Sequence, residues 1–133
     1  MKSDNTADLV QLIADYMENG FLENIIDMFR HDSSLYQLTA SLIQDERVRV
    51  RIGITALMEE LKKLDAANIY GAVPGLLQLL GHAEPFVRGD SANLIGIIGD
   101  RNTLSSLEKL LADENENVRL IAKEAIEEIK KPW

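Results

Sequence analysis

The chain has 133 residues, 46% hydrophobic and 27% charged, with a formal net charge of -8. That length suits one domain around one core, and the composition excludes a largely disordered chain. Cysteine is absent, which removes disulfides, thiol nucleophiles and thiolate metal ligands and fits a cytoplasmic location, while the acidic balance disfavours general attraction to nucleic acid or anionic membrane.

A first helix is expected where Leu9, Val10, Leu12, Ile13, Tyr16 and Met17 recur at spacings of three and four, ending at Asn19-Gly20. Acids and amides interrupt it, so it has neither the basic start nor the apolar block of a secretion signal, and no window approaches a membrane span. Leu22, Ile25, Ile26 and Phe29 form a second stripe that ends near His31-Asp32. Ser33 or Ser34 is expected to cap a third helix carrying Leu35, Leu38, Leu42 and Ile43. The fourth runs from about Glu46 to Leu64 on a stripe of Val48, Ile52, Ala56, Leu57 and Leu61. Charge is uneven here: residues 1–44 carry seven acids against two bases, whereas 45–64 carry five bases against four acids.

The segment Asp65 to Gly71 breaks the pattern. Pro74 suits the first turn of a fifth helix containing Leu76, Leu77, Leu79 and Leu80, which Gly81 ends. Glu84-Pro85 starts the sixth, which continues to Gly99 through Val87, Ala92, Leu94, Ile95 and Ile98. Its Gly89 and Gly96 each cost about 1 kcal/mol of helix propensity relative to alanine, and close helix packing would offset that. The seventh spans about Thr103 to Ala112 and the eighth about Asn117 to Lys130, with Pro132-Trp133 as a tail. No span asks for a strand, so the pattern is one of helical hairpins in series.

A Val-Arg pair recurs at Val48-Arg49, Val87-Arg88 and Val118-Arg119, near the start of the fourth, sixth and eighth helices. The run Glu84-Pro85-Phe86-Val87-Arg88-Gly89-Asp90-Ser91-Ala92-Asn93-Leu94-Ile95-Gly96-Ile97-Ile98-Gly99-Asp100 resembles the second helix of HEAT-like repeats, particularly the short type of phycobilisome lyase-like proteins. Asn115 to Ala122, followed by Ala125, Ile126 and Ile129, keeps the same apolar positions thirty-one residues later. The first copy, Asp45-Glu46-Arg47-Val48-Arg49, keeps the opening but stands thirty-nine residues before the second, with the extra length expected in Lys62 to Ala72. The resemblance implies an all-α, right-handed superhelical HEAT-like or armadillo-like solenoid of antiparallel helix hairpins. Its units would be 33–64, 72–99 and 102–130, with 1–32 as a degenerate N-terminal capping hairpin, because a solenoid end must cover its exposed core.

The same resemblance makes Arg49, Arg88 and Arg119 structural repeat arginines that hydrogen-bond acidic or amide groups of neighbouring turns. It also puts the second helix of each hairpin on a concave face, exposing the third, sixth and tenth residues after the motif valine. Those are Arg51, Ile54 and Met58, then Asp90, Asn93 and Ile97, then Ile121, Glu124 and Glu128. A partner helix or extended peptide could lie there on apolar anchors within a polar rim. A shift of one helical position would instead turn Ile54, Met58 and Ile97 inward.

Catalytic signatures are missing from the pattern. His31 and His82 are fifty-one residues apart without metal-ligand spacing, and Glu59-Glu60 and Glu127-Glu128 are not paired across one helix face by their spacing. Gly96-Ile97-Ile98-Gly99-Asp100 lacks the lysine of a phosphate loop. No metal or cofactor is expected. The reading is a non-enzymatic adaptor or scaffold that binds a protein or peptide through Arg51, Ile54, Met58, Asp90, Asn93, Ile97, Glu124 and Glu128, with no membrane partner. A second copy of the chain could complete an open end. Two alternatives remain at this point: a pigment-lyase-like enzyme or accessory, and a phosphate or nucleic-acid module using Arg47, Arg51, Lys62 and Lys63.

Overall fold

The computed structural model describes residues 2–132. Met1 and Trp133 lie outside them, so the expected tail is described only as far as the non-helical Pro132. Eight α-helices and no strand occur among the described residues: α1 (Lys2–Glu18), α2 (Leu22–His31), α3 (Thr39–Leu42), α4 (Val48–Leu64), α5 (Val73–Leu79), α6 (Pro85–Ile98), α7 (Leu104–Lys109) and α8 (Glu116–Lys130). The protein is an all-α helical-repeat solenoid.

Local chemistry sets the element ends. Gly20 adopts φ 85°, a left-handed conformation natural to glycine, and the amides of Gly20 and Phe21 close on the carbonyls of Met17 and Tyr16 to stop α1. Gly99, at φ 80°, stops α6 in the same left-handed region. Pro85 and Pro74 occupy first turns, where no helical N–H partner is needed. The cap after α2 differs from expectation. It is the Asp32 carboxylate, not a serine hydroxyl, that accepts the Ser34 amide at 3.1 Å.

The first helix of each later hairpin is less regular than the sequence suggests. Short 3-10 segments, Ser33–Leu38, Ile69–Ala72 and Arg101–Thr103, precede α3, α5 and α7. In the first of these, Tyr36 is fully buried, meets Phe29 edge to face at 5.2 Å and donates its hydroxyl to Asp65 at 2.8 Å. Burial and the Asp65 carboxylate push its phenol pKa upward. One aliphatic core runs the length of the stack, from Ile13 and Met17 through Ile54, Leu57 and Leu61 to Leu94, Ile98 and Ile129.

The longer helices α4, α6 and α8 pack side by side, and α1 and α2 pack on α4. At the α6–α8 seam a Cβ built on Gly96 would lie 2.8 Å from the Ala125 Cβ and 2.9 Å from its Cα. No side chain fits there without moving a helix, which is the close approach that offsets glycine's poor helix propensity.

Candidate functional site

The turn before each long helix fixes the register of the repeats. Asp45 Oδ1 accepts the amide of Arg47 at 2.9 Å, His82 Nδ1 that of Glu84 at 3.0 Å, and Asp113 Oδ1 that of Asn115 at 2.9 Å. Arg47, Glu84 and Asn115 are the N-caps of α4, α6 and α8. Three residues after each cap stands a buried valine: Val50, Val87 and Val118. The first repeat therefore begins at Val50-Arg51, two residues later than the expected Val48-Arg49.

The arginine contacts agree with this register. Arg51 donates to the carbonyls of Asp45 and Glu46 at 2.8 and 3.0 Å, and Arg88 donates to those of His82 and Ala83 at 2.8 and 3.0 Å. Arg119 reaches the Asp113 carbonyl at 2.7 Å. Each arginine thus fastens the turn five or six residues before it, a task suited to a guanidinium with several donors in one plane. Arg49 does none of this. It is exposed and takes part in no hydrogen bond or ion pair among the described residues.

Two of these arginines also cross to the next repeat. Arg88 makes a two-point pair with Asp113 at 2.8 and 3.0 Å, with both side chains less than a tenth exposed. This hydrogen-bonded pair holds the Asp113 carboxyl below the usual carboxylate range. At the turn position equivalent to Asp113 the preceding repeat carries His82, not a carboxylate, and Arg51 pairs with Asp90 at 3.3 Å while stacking over Phe86 at 4.6 Å. Burial pushes the Asp90 carboxyl pKa up, against the pull of Arg51.

The corrected register redraws the expected surface. Ile54 and Met58 are fully buried and belong to the core, and Arg51 is a structural link. Positions counted from Val50 bring Gly53, Ala56 and Glu60 to the face instead, and all three are half-buried. In the later repeats the count holds: Asp90, Ile97 and Ile121 are half-buried, and Asn93, Glu124 and Glu128 are exposed. Asn93, Ile97, Glu124 and Glu128 come together with Glu59, Lys62 and Lys63 around a groove of about 420 Å³ floored by Gly96 and Ala125.

Glu59 was not among the expected site residues, and Lys62 and Lys63 were expected only in the phosphate-binding alternative, although the α4 spacing of Ile52, Ala56, Glu59 and Lys63 marks one helix face. Lys62 donates its ammonium to the Ile98 carbonyl at the end of α6. Arg47 is bound by Asp15 and Asp45 at 2.9 and 3.0 Å. All four cations of the phosphate-binding alternative are therefore engaged within the fold, Arg47, Arg51 and Lys62 as described and Lys63 with Glu60 at 3.8 Å. The histidines are likewise engaged in local structure, His31 with the Asp27 carbonyl at 2.7 Å and His82 in its turn. Among the described residues no group of three or more His, Asp or Glu side chains is placed to hold a metal, and no helix is long and apolar enough to cross a membrane.

Compared with known families, the chain matches the model of HEAT repeats over residues 35–127, more than half its length. A search of curated proteins finds no match. The match takes in the turns, valines and arginines that set the repeat register, and the chain belongs to the HEAT repeat family.

Proposed function

We propose that the protein is a non-enzymatic adaptor that binds another protein through the exposed face of α4, α6 and α8, the face that is concave in the expected superhelix. The observation that carries this reading is the groove at Asn93, Ile97, Glu124 and Glu128, open across three successive helices and bordered by Glu59 and Lys63. Its half-buried isoleucine within a polar rim suits a peptide or helix from a partner. HEAT repeats commonly serve protein interactions, which is compatible with the same role here. In this reading residues 1–32 cap the stack, with Ile13 and Met17 buried beneath it. The thirty-one-residue step between Val87 and Val118 keeps the short, phycobilisome lyase-like repeat as the nearer comparison for the last two units.

The test is affinity capture from lysate of the source cell with wild type, an Ile97→Asp/Glu124→Lys variant of the groove, and a Lys109→Glu variant on α7. Circular dichroism first checks that all three are folded. A partner held by wild type and the α7 variant but lost by the groove variant is the expected result. Equal capture by all three would remove the groove from the function.

A further inference from the structure

Of the doubled pair Val48-Arg49-Val50-Arg51, only the second, Val50-Arg51, is accounted for by the repeat. Val48 and Ile52 are 57% and 63% exposed, the highest values among the large hydrophobic side chains of the described residues. They stand one turn apart on α4, with Arg49 between them in sequence. Phe86 of α6, 40% exposed, adjoins them. Ile52 forms a ridge between two shallow depressions. One, of about 340 Å³, is lined by Met17, Leu22, Arg49 and Ala56, and the other, of about 240 Å³, by Val48, Thr55, Phe86 and Asp90.

The charges around this patch are unequal in their freedom. Arg51 and Asp90 neutralise each other, and Arg47 is held by two aspartates. Among the described residues Arg49 pairs with no carboxylate, including Glu46 one turn before it. An apolar ridge carrying a free guanidinium is complementary to apolar side chains accompanied by a carboxylate.

We infer that the α4 edge of this face, at Val48, Arg49, Ile52 and Phe86, docks an acidic amphipathic segment of another protein, with apolar side chains on both sides of Ile52 and an Asp or Glu on Arg49. The inference rests on the adaptor reading and specifies its partner chemistry. Two apolar residues three or four apart in a helix would straddle the ridge, and a carboxylate one turn away would reach the guanidinium. Phosphate backbones, which would also seek Arg49, gain nothing from the exposed valine and isoleucine.

The test selects short phage-displayed peptides on the full chain and measures the enriched sequences by fluorescence anisotropy. Enrichment of peptides combining two apolar residues with Asp or Glu is expected. Ile52→Ser and Arg49→Glu should each weaken them by about tenfold, while Lys109→Glu on α7 leaves them unchanged, and selection on Arg49→Glu should turn towards Lys and Arg. All these positions are exposed, so circular dichroism should show wild-type folding. Peptides indifferent to Arg49 and Ile52 but lost with Ile97→Asp would overturn this inference and leave the adaptor reading standing. Failure to enrich any sequence would overturn it too, the adaptor reading then being decided by the capture experiment. Sedimentation showing self-association abolished by Ile52→Ser, or oligonucleotide binding abolished by Arg49→Glu, would overturn it in favour of a second copy or nucleic acid.

Discussion

The two seams between the long helices are built differently. Between α6 and α8, Gly96 lies against Ala125 and the two-point Arg88–Asp113 pair is almost wholly enclosed. Between α4 and α6, the links are long cationic side chains: Arg51 on Asp90 and Phe86, and Lys62 on the Ile98 carbonyl. The first seam leaves no room to adjust. The second keeps polar links with partly exposed ends, and the most exposed apolar residues of α4 lie beside it. The comparison teaches that one repeat pattern can supply both a fixed joint and an adaptable surface, depending on whether small residues or long charged ones fill the crossing.

Removing the enclosed pair should have the largest effect. Arg88→Ala leaves the Asp113 carboxylate buried without its guanidinium and frees two turn carbonyls, so thermal denaturation should show a fall in Tm of several degrees or more. Asp113→Asn should cost less, because the guanidinium keeps its carbonyl partners. A Tm unchanged by either substitution would mean that the pair does not join the repeats.

The glycines separate the two ends of the chain more finely. Gly96→Ala gains about 1 kcal/mol of helix propensity but forces a Cβ into Ala125 at a cost of about 1–3 kcal/mol, so urea denaturation should show a net loss. The atoms nearest a Cβ built on Gly53 all belong to the Met17 side chain, which can change rotamer where a helix backbone cannot, so Gly53→Ala should lose less. Equal losses would erase the distinction between a seam closed by backbone proximity and one closed by a movable side chain.

Acid should loosen the C-terminal joint through Asp113. Its folded-state pKa is lowered by Arg88, so its stabilisation is complete above the unfolded carboxylate value of about 4 and is lost as the pH falls below it. Asp45, lowered by its hydrogen bond to Arg47, behaves alike. Asp90 is raised, chiefly by burial, and has the opposite sign. Stability measured between pH about 5 and 2 should therefore fall less steeply in Asp113→Asn than in wild type, and more steeply in Asp90→Asn.

The smallest effect should come from repairing the second seam. His82→Asp would place a carboxylate at the turn position occupied by Asp113 in the next repeat, within the pattern that Arg51 already follows. A gain of about 0.2–1 kcal/mol is expected. A loss would show that the His82 Nδ1 acceptor is worth more to its turn than a carboxylate in the same place.

Much of the architecture was legible in the residues. Spacings of three and four gave the helices, Gly20 and Gly99 gave two of the stops, and Pro74 and Pro85 gave two starts. The 3-10 openings before α3, α5 and α7 were not legible, because a spacing of three also occurs on an α-helix. The register of the first repeat was misread although the sequence contained the signal. From Val50, the core residues Ile54, Leu57, Met58 and Leu61 follow at four, seven, eight and eleven positions. The same offsets from Val87 give Ser91, Leu94, Ile95 and Ile98, and from Val118 they give Ala122, Ala125, Ile126 and Ile129, all buried. From Val48 they give Ile52, Thr55, Ala56 and Glu59, none of them buried. The Val-Arg token alone could not choose between two adjacent copies, whereas the core behind it could. Within the candidate site, the positions on α6 and α8 were therefore legible and those on α4 were displaced by two. The pairing of Arg88 with Asp113 depends on how two hairpins stack, which no local spacing encodes.

The most direct test of this account is a pair of thermal melts, Arg49→Ala and Arg51→Ala, against wild type. Arg51→Ala should lower the Tm by several degrees, since two turn carbonyls and Asp90 lose their partner, and Arg49→Ala should leave it unchanged within the spread of surface substitutions. The reverse order would put the repeat back at Val48-Arg49 and withdraw Arg49 from the binding surface.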